Sequence, residues 1–343
     1  MILFRVDGNE RIGLGHMMRC LSIADALTAN GEAVLFVTAD NKCERLLTQR
    51  GYGNAVLHTD FSDMDSEVEQ MLSLIDQYRP RSVFVDSYYV TENYLRQLKD
   101  TIRLIYLDDQ LSFPYPADVV INYNIFAKAD DYDRLYRDAD IVPQFVLGTE
   151  YTPLRSEFSH VVPHDQPESA QKVLISTGGA DPQHIALSMI RSIKDRRQAF
   201  SRFAFTFIIG GANADFESIR ALAQDIEQVN IVYNVQNMSQ LMLRHDIAVS
   251  AAGSTLYELC ACGLPTITYV CADNQIPAAK VFGEKGIMID AGDYRHNDDF
   301  IRHVFDAVAA LAEDKALRNR MASAAVRVVD GGGANRIAKI ICK

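Results

Sequence analysis

The sequence has no apolar run of about 18 residues, the length that a membrane-spanning helix needs. Asp7 and Glu10 follow the first short apolar stretch, where a secretory signal would continue its apolar core. Basic residues are in deficit, 34 against 45 acidic ones, and the net charge of −11 argues against broad electrostatic attraction to nucleic acid or to an anionic membrane. Any phosphate-bearing ligand must then be held by local devices such as helix N-termini. Cysteine is sparse: Cys20, Cys43, Cys260, Cys262, Cys271 and Cys342 form no C-x-x-C and no paired metal spacing. Cys260 and Cys262 stand two apart on a predicted helix, where side chains do not face each other. This pattern predicts reduced, mostly buried thiols in a cytoplasmic protein rather than a disulfide framework or a zinc site.

What is present is ordinary globular material, 48% apolar and 23% charged, in 343 residues. That length exceeds one ordinary core and suits two domains of roughly 150 residues each. Short β-rich runs at 2–7, 33–40, 82–88, 104–109 and 119–124 alternate with amphipathic segments such as 17–29, stopped by Asn30-Gly31, and 66–78, stopped before Pro80. A polar stretch with two prolines at 156–171 interrupts the rhythm, which restarts at 172–176 and continues through 203–211, 230–235, 246–253 and 265–270. Alternation of this kind predicts parallel sheets covered on both faces. The expected fold class is therefore α/β, two doubly wound Rossmann-like domains facing across a cleft. The boundaries expected are 1–160 and 171–325, with a C-terminal helix over 326–343 after a glycine hinge, its return to the first domain left open.

Gly13 and Gly15 supply the first two positions of G-x-G-x-x-G, but the third falls on Met18. A glycine there permits close helix–strand packing, so the dinucleotide fingerprint fails, although Asp40 could mimic the ribose-binding acid. The two glycines also suit a plain strand-to-helix turn, which leaves His16 unexplained. His16 falls in the first helical turn, where the helix dipole disfavours an imidazolium. It is a candidate general base, with a structural hydrogen-bonding role as the alternative.

In the second half a strand ends at Gly253 and a helix starts at Ser254 or Thr255, so backbone N–H groups and hydroxyls form an anion site. Thr255 and Glu258 also have the T-x-x-E spacing of a capping box. The functional reading instead makes Glu258 the acceptor for ribose hydroxyls. Loops with Gly178 and Gly179 (176–182) and with Gly210 (209–215) follow two further strands. Three glycine loops on one edge point to a nucleoside-diphosphate site. Asp86, Tyr88, Asp108 and Asp109 stand at strand ends, where aspartates commonly cap the next helix. The pairs Asp131/Asp133 and Asp138/Asp140 read as a solvated surface, and no metal site is expected.

Several blocks then match a known group. "RVD" (5–7) with "IGLGHMMRCLSIA" (12–24) resembles the start of the UDP-sugar hydrolases of pseudaminic acid biosynthesis. Further matches are "VDSYYV" (85–90), "LDD" (107–109), "GTEYTPLRSEF" (148–158), "STGGADP" (176–182), "AAGSTLYELCACGLP" (251–265) and "DGGGANRI" (330–337). The glycine–glutamate block is shared more widely, notably with the peptidoglycan transferase that adds N-acetylglucosamine to a lipid-linked sugar.

The resemblance implies a GT-B fold with UDP bound mainly by the C-terminal domain. It implies that His16 activates a water, which attacks the anomeric carbon of UDP-2,4-diacetamido-2,4,6-trideoxy-β-L-altropyranose with inversion and releases UDP. Arg5, Asp7, Gly13, Gly15, Tyr88, Asn274 and Gln275 are then expected near the sugar. Gly178, Gly179, Gly210, Gly253, Ser254, Thr255 and Glu258 are expected near UDP. The implied partners are the UDP-sugar and water, with no cofactor, nucleic acid or stable membrane insertion. The main alternative is a GT-B glycosyltransferase that moves a sugar from UDP to an acceptor. A non-catalytic nucleotide-sugar-binding protein would have no use for the histidine.

Overall fold

The first strand, Ile-Leu-Phe-Arg-Val at Ile2–Val6, is buried along its whole length, as a central strand of a parallel sheet must be. The structure is a computed structural model describing residues 1–9, 11–163, 165–233 and 235–343, so Glu10 lies outside the described residues. The strands are β1 (Ile2–Val6), β2 (Val34–Thr38), β3 (Gly53–Val56), β4 (Ser82–Asp86), β5 (Arg103–Leu107), β6 (Val119–Asn122) and β7 (Gln144–Leu147). After these come β8 (Lys172–Ser176), β9 (Ala204–Ile209), β10 (Val229–Tyr233), β11 (Ile247–Ala251), β12 (Thr266–Val270) and β13 (Ile289–Asp293).

The chain divides into two units, Met1–Arg155 with Gly332–Lys343, and Ser156–Gly331. The polar stretch 156–171 thus belongs with the second unit. In the first, a parallel sheet runs β3-β2-β1-β4-β5-β6-β7; in the second, β10-β9-β8-β11-β12-β13. Each order reverses once, between β1 and β4 and between β8 and β11. Ligands of open parallel sheets bind at the carboxyl ends of the strands flanking such a reversal.

Alternation along β1 sends Phe4 to one face, where it stacks on Phe84 of β4 at 4.7 Å. Leu3 lies on the other face, in a core with Val37, Val83, Val85, Tyr94 and Leu98. The second unit closes around Val173, Ile175, Phe205, Phe207, Val249 and Ile267 from its strands and Ile190, Phe305 and Leu311 from its helices.

The last helix, Gly333–Ile341, packs on the first helix, Gly15–Ala29 (α1). Gly333 makes that return possible, because a Cβ there would lie 2.1 Å from the carbonyl oxygen of Thr152.

Candidate functional site

The loop after β1 is built around Asn9, whose Oδ1 accepts N–H bonds from Arg11 (2.9 Å) and Ile12 (3.1 Å). Asn9 also bridges Gly13, which adopts φ +76, a conformation natural only to glycine. Gly15 opens α1 and has open space where a side chain would stand. His16 thereby reaches the first turn of α1 and is buried, 7% exposed.

Nδ1 of His16 lies 2.6 Å from Oδ1 of Asp86, the last residue of β4. Register places Asp86 beside Val6, at the reversal of the sheet. Burial pushes the Asp86 carboxyl up, but Arg19 and then His16 outweigh it and hold the group well below the usual carboxylate range. An ionised carboxylate only accepts, so Nδ1 carries the proton and Nε2 is left as the basic nitrogen. Arg19 Nη2 stands 3.0 Å from Nδ1; with both nitrogens donating to the same oxygen, this is proximity rather than a bond.

Asp86 is saturated. Oδ1 accepts from His16 and from Arg19 Nη2 (2.5 Å), while Oδ2 accepts from Arg19 Nε (2.6 Å) and the Cys20 thiol (3.3 Å). Arg19 also donates from Nη1 to Asp109 (2.7 Å) and to the Tyr123 hydroxyl (2.9 Å). Asp109 in turn accepts from the Tyr88 hydroxyl at 3.1 Å and from Asn124 at 2.7 Å. Burial and then Asp109 push the Tyr88 phenol well above its ordinary range, so it stays a donor. Its ring meets the His16 imidazole edge-on at 4.4 Å.

Asp7, Ile12, His16, Phe61, Asp86, Ser87, Tyr88 and Tyr89 line a pocket with about 10 Å³ of room for a water centre. That is about the lower limit for holding one molecule. Arg5 does not line this pocket. It is fully buried, donating to Asp7 (2.5 Å) and twice to Glu67 (2.5 and 2.8 Å), and so holds Asp7 from behind. The other oxygen of Asp7 accepts from the backbone N–H of Ala39 at 2.7 Å.

In the second unit, the expected residues follow the carboxyl ends of β8, β9, β11 and β12. Gly178 (φ +92) and Gly179 are exposed in the loop after β8, where Asp181 accepts from the backbone of Ile185 and Ala186 and so closes the next helix. Gly210 touches that loop, since a Cβ there would lie 2.3 Å from the carbonyl oxygen of Gly179. Gly253 differs: it is exposed, with nothing near the position of a Cβ.

The helix after β11 runs Thr255–Ala261 behind Ser254, which makes no side-chain cap bond. Thr255 is thus the first helical residue and not the cap, so the T-x-x-E spacing forms no capping box. Glu258 is half-buried, and it and Glu157 add to burial in pushing the Cys262 thiol up to about 12. Asn274 is exposed, and Gln275 closes the loop after β12 by accepting from the Cys271 N–H at 2.9 Å.

Asp86, Arg19, Asp109, Tyr123 and Glu67 are absent from the sequence-based site. One signal for Arg19 existed, since it follows His16 by three residues and so shares its helical face. Among the described residues no group of three His, Cys, Asp or Glu could hold a metal ion, and no helix is long and apolar enough to cross a membrane.

Residues 163–338 match the glycosyltransferase family 28 C-terminal domain. The chain belongs to that family. This family 28 chain is 22% identical over 276 residues to the uncharacterized protein MJ1062 of Methanocaldococcus jannaschii, covering 76% of the chain and 54% of MJ1062. It thus spans about half the length of that relative. The UDP-2,4-diacetamido-2,4,6-trideoxy-β-L-altropyranose hydrolase of Campylobacter jejuni is 22% identical over 296 residues, with 84% of the family 28 chain and 98% of the relative covered. Among solved structures, MurG of Acinetobacter baumannii matches with a TM-score of 0.70 at 14% identity, over 99% of each chain. The fold is that of GT-B glycosyltransferases, with a parallel-sheet α/β architecture in both units.

Proposed function

We propose that this chain hydrolyses a UDP-linked diacetamido-trideoxy sugar, releasing UDP by attack of water on the anomeric carbon. The observation that carries the reading is the 2.6 Å contact between His16 Nδ1 and Asp86 Oδ1 at the wall of a pocket with room for one water. A histidine whose Nδ1–H is tied to a carboxylate presents Nε2 as an oriented base. In the step proposed, the water oxygen bonds to the anomeric carbon and its proton passes to Nε2. The bond to the diphosphate oxygen breaks, its electron pair leaves with UDP, and the configuration inverts.

Asp7 and Tyr88 stand in the wall of the same pocket and are assigned to the sugar. Gly253, Ser254 and Thr255 are assigned to the diphosphate, where backbone N–H groups stabilise the developing charge. Open space at Gly253 is consistent with close approach of a ligand to the backbone. Glu258 is assigned to the ribose and Gly178, Gly179 and Gly210 to the loops framing the nucleotide. Asn274 and Gln275 are assigned to the sugar and phosphates. Arg5 acts through Asp7. The name of the Campylobacter relative, matched over nearly its whole length, supports the substrate class.

Membership in family 28 favours a second reading, transfer of the sugar to an acceptor. One experiment separates the two: incubation with the UDP-diacetamido sugar and no acceptor, following UDP and the free sugar by NMR. Acceptor-independent release, with the inverted anomer appearing first, supports hydrolysis. Turnover that begins only when an acceptor is added overturns it in favour of transfer.

A further inference from the structure

We infer that Arg19 is a positioning residue that fixes His16 and Tyr88 as one unit and opposes proton uptake at His16 by neutralising Asp86. The inference rests on the role proposed for His16.

The geometry is that of a fork with two duties. Nε and Nη2 clamp both oxygens of Asp86, the group that orients His16, at 2.6 and 2.5 Å. Nη1 holds Asp109 at 2.7 Å, and Asp109 accepts the Tyr88 hydroxyl at 3.1 Å. The two pocket side chains are therefore tied to one guanidinium through one carboxylate each. Arg19 packs at 5.6 Å over the Tyr123 ring, with 11% of its side chain exposed.

A carboxylate beside an imidazole favours the protonated ring, by roughly one to three pH units within about 4–6 Å. That would spoil a base, which must arrive unprotonated. A guanidinium on the same carboxylate opposes the effect, and here it shares the very oxygen that His16 uses.

The other groups around His16 divide by sign. Asp7 after β1 and Tyr88 after β4 share its pocket. β1 itself brings Arg5, closed by Asp7 and Glu67. Asp109 after β5 and Tyr123 after β6 meet Arg19, and Cys20 meets Asp86. Arg11 lies over the Phe61 ring of the pocket wall. The last helix, packed on α1, carries Arg336 and Lys339, and β2 carries no charge.

The test is a histidine ¹H–¹³C NMR titration without substrate, the His16 signal being assigned by its loss in His16→Gln. Arg19→Met should move the His16 midpoint upward by about one pH unit, a tenfold gain in proton affinity. Arg19→Lys, which keeps the charge without the fork, should move it by less than half as much while still lowering kcat for UDP release. An unmoved midpoint in Arg19→Met, or an equal rise in Arg19→Lys, overturns the inference. Should Arg19→Met fail to fold, Asp109→Asn decides: removing a carboxylate from Arg19 should lower the midpoint, and an unmoved or raised value overturns the inference. Because the titration uses no substrate, a failure of the hydrolase reading would show in the UDP-release assay and not here.

Discussion

Nδ1 of His16 and Oδ1 of Asp86 lie 2.6 Å apart although the residues are separated by 70 positions in the chain. The contact arises because β1 and β4 are neighbours at the reversal of the sheet, so the helix after one strand starts beside the end of the other. His16→Asn should therefore lower UDP release by a factor of roughly 10² to 10⁴, the usual size of a general-base contribution. UDP affinity, measured by calorimetry, should stay within about twofold. Collapse of UDP binding would instead mark His16 as a ligand contact.

Asp86→Asn keeps the shape of the carboxylate but loses its charge and offers one acceptor oxygen where the native group offers two. We expect a drop in kcat of about 10² or more, from a ring no longer held in the Nδ1–H form. Stability should also fall, by about 3–5 kcal/mol, because Arg19 loses part of its compensation in a buried place.

The pH dependence of that loss follows from the direction of the Asp86 shift. Burial opposes ionisation of Asp86, but Arg19 and His16 hold its folded carboxyl below the usual range. The unfolded carboxyl takes its proton near pH 4. Stability from this group is therefore whole above about pH 4 and is lost as pH falls below that. In urea titrations, the gap between the native chain and Asp86→Asn should narrow as pH falls below about 4. A gap that widens in acid would show that Asp86 is not the ionised partner.

Two glycines with the same sequence signature should behave oppositely. Gly210→Ala places a Cβ 2.3 Å from the Gly179 carbonyl oxygen, so backbone must move, at a cost of about 1–3 kcal/mol. Gly253→Ala meets open space and should change stability by less than about 0.5 kcal/mol. Its effect should appear in UDP affinity instead, which a thermal melt paired with calorimetry would separate.

Glu67→Ala should be costly although Glu67 lies outside the pocket. It removes one of the two carboxylates around a fully buried Arg5. A loss of about 3–5 kcal/mol is expected, read from the urea midpoint. An effect confined to KM would mean that Arg5 faces the sugar after all.

Much of this architecture was legible in the chain. All ten apolar runs singled out from the sequence meet strands of the structure. The strands that escaped, β3 (Gly-Asn-Ala-Val), β7 (Gln-Phe-Val-Leu) and β13 (Ile-Asp-Ala-Gly-Asp), all lie at sheet edges. An edge strand buries less and need not carry a continuous apolar run, so periodicity is weakest there. His16 stood out because a plain strand-to-helix glycine turn accounts for Gly13 and Gly15 but not for a histidine in the first helical turn. Asp86 did not, because an aspartate at a strand end has a common duty in closing turns. Asp108 performs that duty, accepting from Gln110 and Leu111 at 2.7 and 3.0 Å. Only tertiary pairing separates the two. Arg5, which the resemblance places near the sugar, is fully buried, and Glu67, 62 residues away, supplies a partner that the sequence does not announce.

The return of the helix Gly333–Ile341 onto α1 sets an order of events during synthesis. Every residue of the second unit leaves the ribosome before the segment that closes the first. The second unit can complete its core while translation continues, whereas the helix bearing His16 waits for its packing partner until last. The helix carrying His16 is thus fully packed only after the unit assigned to UDP has been synthesised.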